Sequence, residues 1–139
     1  MLMARDTRTG QVLEQMILPA FEMGGYEVKK QVNIGTRLGG GKHYVDNLIS
    51  KNNRQILVSL KWQQSSGTAE QKVPYEFMCL VKALRGNKEF NAAYIVIGGT
   101  GWTKDSFFLE ELDDWVISSE SVRVIRLEEF VAMANSGRI

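Results

Sequence analysis

Residues 55–63, QILVSLKWQ, alternate as a β-strand does: Ile56, Val58, Leu60 and Trp62 fall on one face, and Leu57, Ser59, Lys61 and Gln63 on the other. The second face turns from apolar to polar along its length. An unpaired ammonium on a strand built for burial is costly, so Lys61 either reaches the sheet edge or meets an anion. Asp46, in the preceding strand-like segment 44–50, is the anion that a hairpin would bring alongside. Two readings stand at this point: a surface ion pair across the hairpin, or a lysine that faces an anionic partner as part of a site. Other chemistries lack their parts. His43 lies in a glycine-rich loop and Ser59 on a strand, with no triad context, and Cys79 falls on an apolar helix face. Residues 98–106, GGTGWTKDS, lack the Lys-Ser/Thr of a P-loop, and one histidine with one cysteine makes no zinc site unless carboxylates complete it.

The elements that would hold Asp46 and Lys61 can be read along the chain. Residues 9–23 place Leu13, Ile17, Ala20 and Phe21 at helical spacings, with Thr7 or Thr9 near the cap and Pro19 expected to kink the helix or mark a second turn. Gly24-Gly25 ends it. A strand over 26–34 follows, then a glycine-rich loop over 35–43 that suits a mobile arm. Segments 44–50 and 55–63, joined by Lys51-Asn52-Asn53-Arg54, predict a hairpin. Residues 69–87 read as a helix, with Pro74 in the first turn of its main part and Phe77, Leu80, Val81 and Leu84 on one face. A strand over 92–99, a helix or pair of turns over 101–117, a strand over 122–127 and a helix over 128–135 complete the order αβββαβαβα. A meander followed by crossover helices predicts an α/β three-layer sandwich with a central mixed sheet.

The 139 residues, 44% hydrophobic and 24% charged, suit a single globular domain over 1–139 that folds without cross-links. A net charge of +1 means that any nucleic-acid surface must gather its positive charge locally. One cysteine, no signal-peptide pattern and no long apolar run predict a reduced, cytoplasmic protein outside the membrane.

Asp46 on the second meander strand and Ser59-Leu60-Lys61 on the third resemble the PD-(D/E)XK nuclease superfamily, the restriction-endonuclease-like fold. In that family the aspartate and an acid two residues before the lysine hold a divalent metal, and the lysine orients or activates the attacking water at a phosphodiester. Asp46 and Lys61 match those positions; Ser59 stands in place of the second acid. Some restriction enzymes with Ser-x-Lys recruit a glutamate from the following helix, which implies Glu70 or Glu76, with spacing favouring Glu76. The segment TGQVLEQMI is similar to helix one of archaeal Holliday-junction resolvases, which implies Glu14 as a further ligand. Gln63 is a candidate to ligate metal or orient water through its amide. The resemblance thus implies a Mg²⁺-dependent DNA endonuclease, with Mn²⁺ able to substitute, whose ligands are Asp46, the Leu60 carbonyl and a glutamate. DNA contacts would come from Arg37, Lys42 and His43 in the glycine arm and from Gln64, Ser65, Ser66, Thr68 and Lys72 beside the catalytic strand. A double-strand break would call for a homodimer. A restriction-type enzyme is the expected class, with junction resolution and homing or repair cleavage as alternatives on the same fold. A DNA-binding subunit that has lost catalysis with the acid at Ser59 is the alternative of another kind.

Overall fold

A helix, α1 (Thr7–Met23), leads into a meander of β1 (Glu27–Thr36), β2 (Lys42–Lys51) and β3 (Arg54–Trp62) in this computed structural model. There follow α2 (Ala69–Gly86), β4 (Phe90–Gly98), two short helices α3 (Asp105–Glu110) and α4 (Leu112–Trp115), β5 (Val122–Arg126) and α5 (Leu127–Asn135). The structure describes residues 7–64, 69–116 and 119–139. The five strands form one sheet in the order β1-β2-β3-β4-β5, antiparallel through the meander and parallel from β3 to β5. The expected α/β three-layer sandwich is therefore the observed fold. Each apolar face of the sheet finds a helical layer. Leu13, Ile17 and Phe21 of α1 and Phe130 of α5 pack with Ile49, Ile56, Val58 and Val96. On the other face, Val73, Phe77, Leu80 and Leu84 of α2 pack with Leu57, Ile95, Ile97 and Val124. β3 and β4 are covered on both sides, which is why they read as nearly unbroken apolar runs.

Boundaries moved where backbone geometry outweighs residue type. Asn52 and Asn53 both adopt left-handed φ, at 53° and 65°, and Lys51 pairs with Arg54, so the hairpin closes on two residues. β1 and β2 extend towards each other, shrinking the expected nine-residue arm to residues 37–41. α1 runs through Pro19 to Met23, and the segment over 101–117 holds two short helices. Cys79 is a buried core thiol. Among the described residues no helix is long and apolar enough to cross a membrane.

Two irregularities in the sheet decide what meets at its centre. The β2–β3 ladder stops at Asn47↔Val58; beyond it β2 pairs only with β1 and β3 only with β4, so the sheet forks. The second is a slip of facing in the β1–β2 ribbon. Val28 packs in the α1-side core, yet Val32 and its partner Val45 pack in the α2-side core. An even step should have kept Val28 and Val32 on one face. Gln31, at φ 51°, sits at the slip. From there the ribbon presents its odd-numbered β2 residues, Val45 and His43, to α2.

Candidate active site

Asp46 stands at the fork and bridges it: its Oδ2 accepts the Leu60 backbone N–H at 2.7 Å and its Oδ1 accepts from Gln31 Nε2 at 3.4 Å. In an extended residue N–H and C=O project from the same edge, so the Leu60 carbonyl also lies on the Asp46 side. Burial pushes the Asp46 carboxyl above its ordinary value, against the opposing pull of the Leu60 N–H, Lys61 and Gln31, and nearby Glu76 adds to the rise.

Glu76 arrives from α2. It is 3% exposed, and its two oxygens lie 3.1 and 3.2 Å from His43 Nε2. Arg37 Nη1 donates to it at 3.3 Å, and Ser59 on β3 lies close by. Burial works to raise its pKa, but the His43 hydrogen bond and charge, then Lys61 and Ser59, hold the carboxyl below its ordinary value. The Glu76 carboxylate therefore lies near Ser59 and Lys61 of β3. Lys61 acts electrostatically on both carboxylates, yet no ion pair within 4 Å joins it to Asp46 among the described residues. The ladder ends before Lys61, so the reading as a cross-strand ion pair is corrected: Lys61 stands beside two acids without being consumed by either.

Other expected site residues lie elsewhere. Glu14 is exposed on α1 and lies 3.8 Å from Lys30 of β1. Gln63 is buried and spent on structure: its Nε2 donates to the Gly101 carbonyl at 2.7 Å and its Oε1 accepts the Glu70 N–H at 3.2 Å. The Glu70 carboxylate accepts from the backbone N–H groups of Thr103 and Lys104 and from the Thr103 hydroxyl. Gln63 and Glu70 thus fasten the loop after β4 to the start of α2, in place of the metal-binding roles expected for them. Of the DNA-contact candidates, Lys42, Gln64 and Lys72 are exposed and Arg37 is half-buried against Glu76. His43 is 1% exposed, so a direct phosphate contact, expected from its loop position, is corrected to a contact with Glu76. Ser65, Ser66 and Thr68 lie outside the described residues. Ser59 and His43 as partners of Glu76 escaped the sequence reading; strict alternation along β2 would have aimed His43 at α1.

A family model for the PD-(D/E)XK nuclease superfamily domain matches residues 5–138. This chain belongs to the PD-(D/E)XK nuclease superfamily. No curated protein matches it. Among solved structures it is similar to an XisH family protein from Nostoc punctiforme PCC 73102, at TM-score 0.57 and 18% identity, over 85% of this chain and 93% of that one. A protein of unknown function designated AF1548 is similar at TM-score 0.50 and 10% identity, over 85% of this chain. This chain spans 56% of that protein's length. These likenesses establish the fold.

PD-(D/E)XK nucleases use divalent metals, and the chemistry of the donors here fits one. Among the described residues no three His, Cys, Asp or Glu side chains cluster closely enough to hold an ion by themselves. Two carboxylates and a main-chain carbonyl are nonetheless a hard, all-oxygen set of the kind Mg²⁺ takes while keeping several waters. The upward pressure on Asp46 from burial and from Glu76 is what a bound cation would relieve.

Proposed function

We propose that this protein is a Mg²⁺-dependent endonuclease that hydrolyses DNA phosphodiester bonds, with Mn²⁺ able to replace Mg²⁺. The observation that carries this reading is Glu76, 3% exposed on α2 and held by His43 Nε2 at 3.1 Å and Arg37 at 3.3 Å, with Ser59, Lys61 and Asp46 close enough to act on its charge. Asp46, Glu76 and the Leu60 carbonyl would hold the cation, which when bound supplies Lewis-acid polarisation and neutralises developing charge. Lys61 orients the attacking water by hydrogen bonding and lends positive charge to the phosphate. The Leu60 N–H and Gln31 keep Asp46 aimed into the fork. Exposed Lys42, Gln64 and Lys72, with Arg37 at the rim, supply local positive and polar groups for the backbone of a duplex. One such centre cuts one strand, so double-strand cleavage of restriction type calls for a homodimer whose two-fold axis matches a palindromic site, acting inside the cell.

The test is incubation of plasmid and phage DNA, and separately of a four-way junction, with Mg²⁺, Mn²⁺ or EDTA. Discrete metal-dependent fragments are expected, with Lys61→Ala and Glu76→Gln each slowing cleavage by on the order of 100-fold or more. Cleavage confined to the junction would make it a resolvase. A second reading, a non-catalytic DNA-binding subunit, draws on the charge compensation of Glu76 by His43 and Arg37. It predicts DNA binding that EDTA leaves unchanged and intact DNA in every lane.

A further inference from the structure

The Glu76 carboxylate is held from the β1–β2 side, by Arg37 at 3.3 Å and by His43 at 3.1 and 3.2 Å. Of the two, His43 is the buried one. Its ring is 1% exposed and, among the described residues, Nε2 meets only the two Glu76 oxygens and Nδ1 has no hydrogen-bond partner. A carboxylate only accepts, so Nε2 carries the proton shared between its oxygens. Burying an unpartnered ring nitrogen costs free energy that an apolar residue of similar size would avoid. The contact with Glu76 is the polar interaction set against that cost. The facing slip at Gln31 turns His43 towards α2 and makes the contact possible.

We propose that His43 is a positioning residue of the active site: its imidazole Nε2–H holds the Glu76 carboxylate in the orientation from which it ligates a divalent cation. The proposal rests on the metal-dependent reading above. It departs from a DNA-contact role for His43, which burial excludes, and from a purely packing role, for which the unpartnered Nδ1 is a burden.

Mn²⁺ binding to the full chain without DNA, followed by electron paramagnetic resonance, tests it beside DNA binding in EDTA and thermal unfolding in EDTA. Wild-type Mn²⁺ binding should be lost in Asp46→Asn, which checks the metal reading by itself. His43→Leu should weaken Mn²⁺ binding by about 10-fold or more, the range seen when a partner that orients a metal ligand is removed. His43→Gln, whose amide nitrogen reaches about as far as Nε2, should recover most of it, whereas the shorter His43→Asn should not. Adding His43→Leu to Glu76→Gln should cause little further loss. DNA affinity in EDTA should stay the same throughout. Mn²⁺ binding by His43→Leu as tight as wild type would overturn the positioning role while leaving the metal reading intact, as would loss of DNA binding in EDTA. Should the leucine variant fail to fold, equal Mn²⁺ affinities of the Gln and Asn variants would overturn it. A wild-type chain that binds no Mn²⁺ would sink the metal reading and this role with it.

Discussion

At the scale of single residues, the proposed reading holds the second acid on a helix, at Glu76, instead of on the strand that carries Lys61. Ser59 and Glu76 are both buried and lie close together: a short hydroxyl on β3 leaves room for a glutamate from α2. The electrostatics of the two carboxyls diverge because their surroundings do. Both feel Lys61, but Asp46 otherwise meets a neutral N–H and a neutral amide and is pushed up by burial, while Glu76 has the hydrogen bond and charge of His43 and is held down. Under the proposed reading the acid can be moved back. Glu76→Ala should lose Mn²⁺ binding, and adding Ser59→Asp should restore part of it, as measured by titration calorimetry. No recovery in a double variant that folds would mean that helix placement, and not the presence of a second carboxylate, is what the site requires.

At the scale of elements, close approach at glycines sets the tolerance of each junction. Gly99 follows β4 at φ 95°, and a Cβ there would lie 2.4 Å from the Gln63 carbonyl oxygen. That carbonyl also accepts the Gly101 N–H, so the loop over 99–104 has no slack. Gly86 ends α2 with open space around it and no left-handed φ. Gly86→Ala should therefore raise stability by about 0.4–1 kcal/mol, by reducing the freedom of the unfolded chain. Gly99→Ala should lower it by more than that, through strain and displacement of the Gln63 backbone. Urea denaturation measures both, and a stabilised Gly99→Ala would contradict the described close approach.

At the scale of the whole molecule, the sheet is two half-sheets sharing β3, an antiparallel one and a parallel one, with the candidate site where they part. The parallel half is tied to α2 through the buried Glu70 carboxylate and its hydrogen bonds to Thr103 and Lys104. Burial opposes ionisation there, but those hydrogen bonds, with the Lys104 charge, hold the carboxyl below its ordinary value of 4.5. A depressed folded-state pKa gives stability that is present above the unfolded value and lost as pH falls through the folded one. Wild type should therefore melt higher than Glu70→Gln at pH 7, with the gap closing as pH drops below about 4.5. Calorimetry across that range checks it; a constant gap would show that folding leaves the Glu70 pKa unshifted.

Much of this was legible without coordinates. The alternation of residues 55–63, the helical spacing around Ile17 and Leu80 and the order of elements led to the sandwich, because hydrophobic periodicity is local and burial follows it. Asp46 and Lys61 stood out for the same reason, as polar side chains on strands built for burial. The partners of a glutamate are a matter of tertiary structure. Glu70 and Glu76 lie on one helix six residues apart, and only the way α2 docks on the sheet sends Glu70 to the loop over 103–104 and Glu76 to Ser59 and His43. Likewise, alternation assumes a regular ribbon, and the slip at Gln31 reverses the facing of His43 at a position where sequence spacing carries no sign of it. Periodicity within the chain determined the layers; contacts between residues far apart in sequence, such as His43 and Glu76, were decided by how those layers pack.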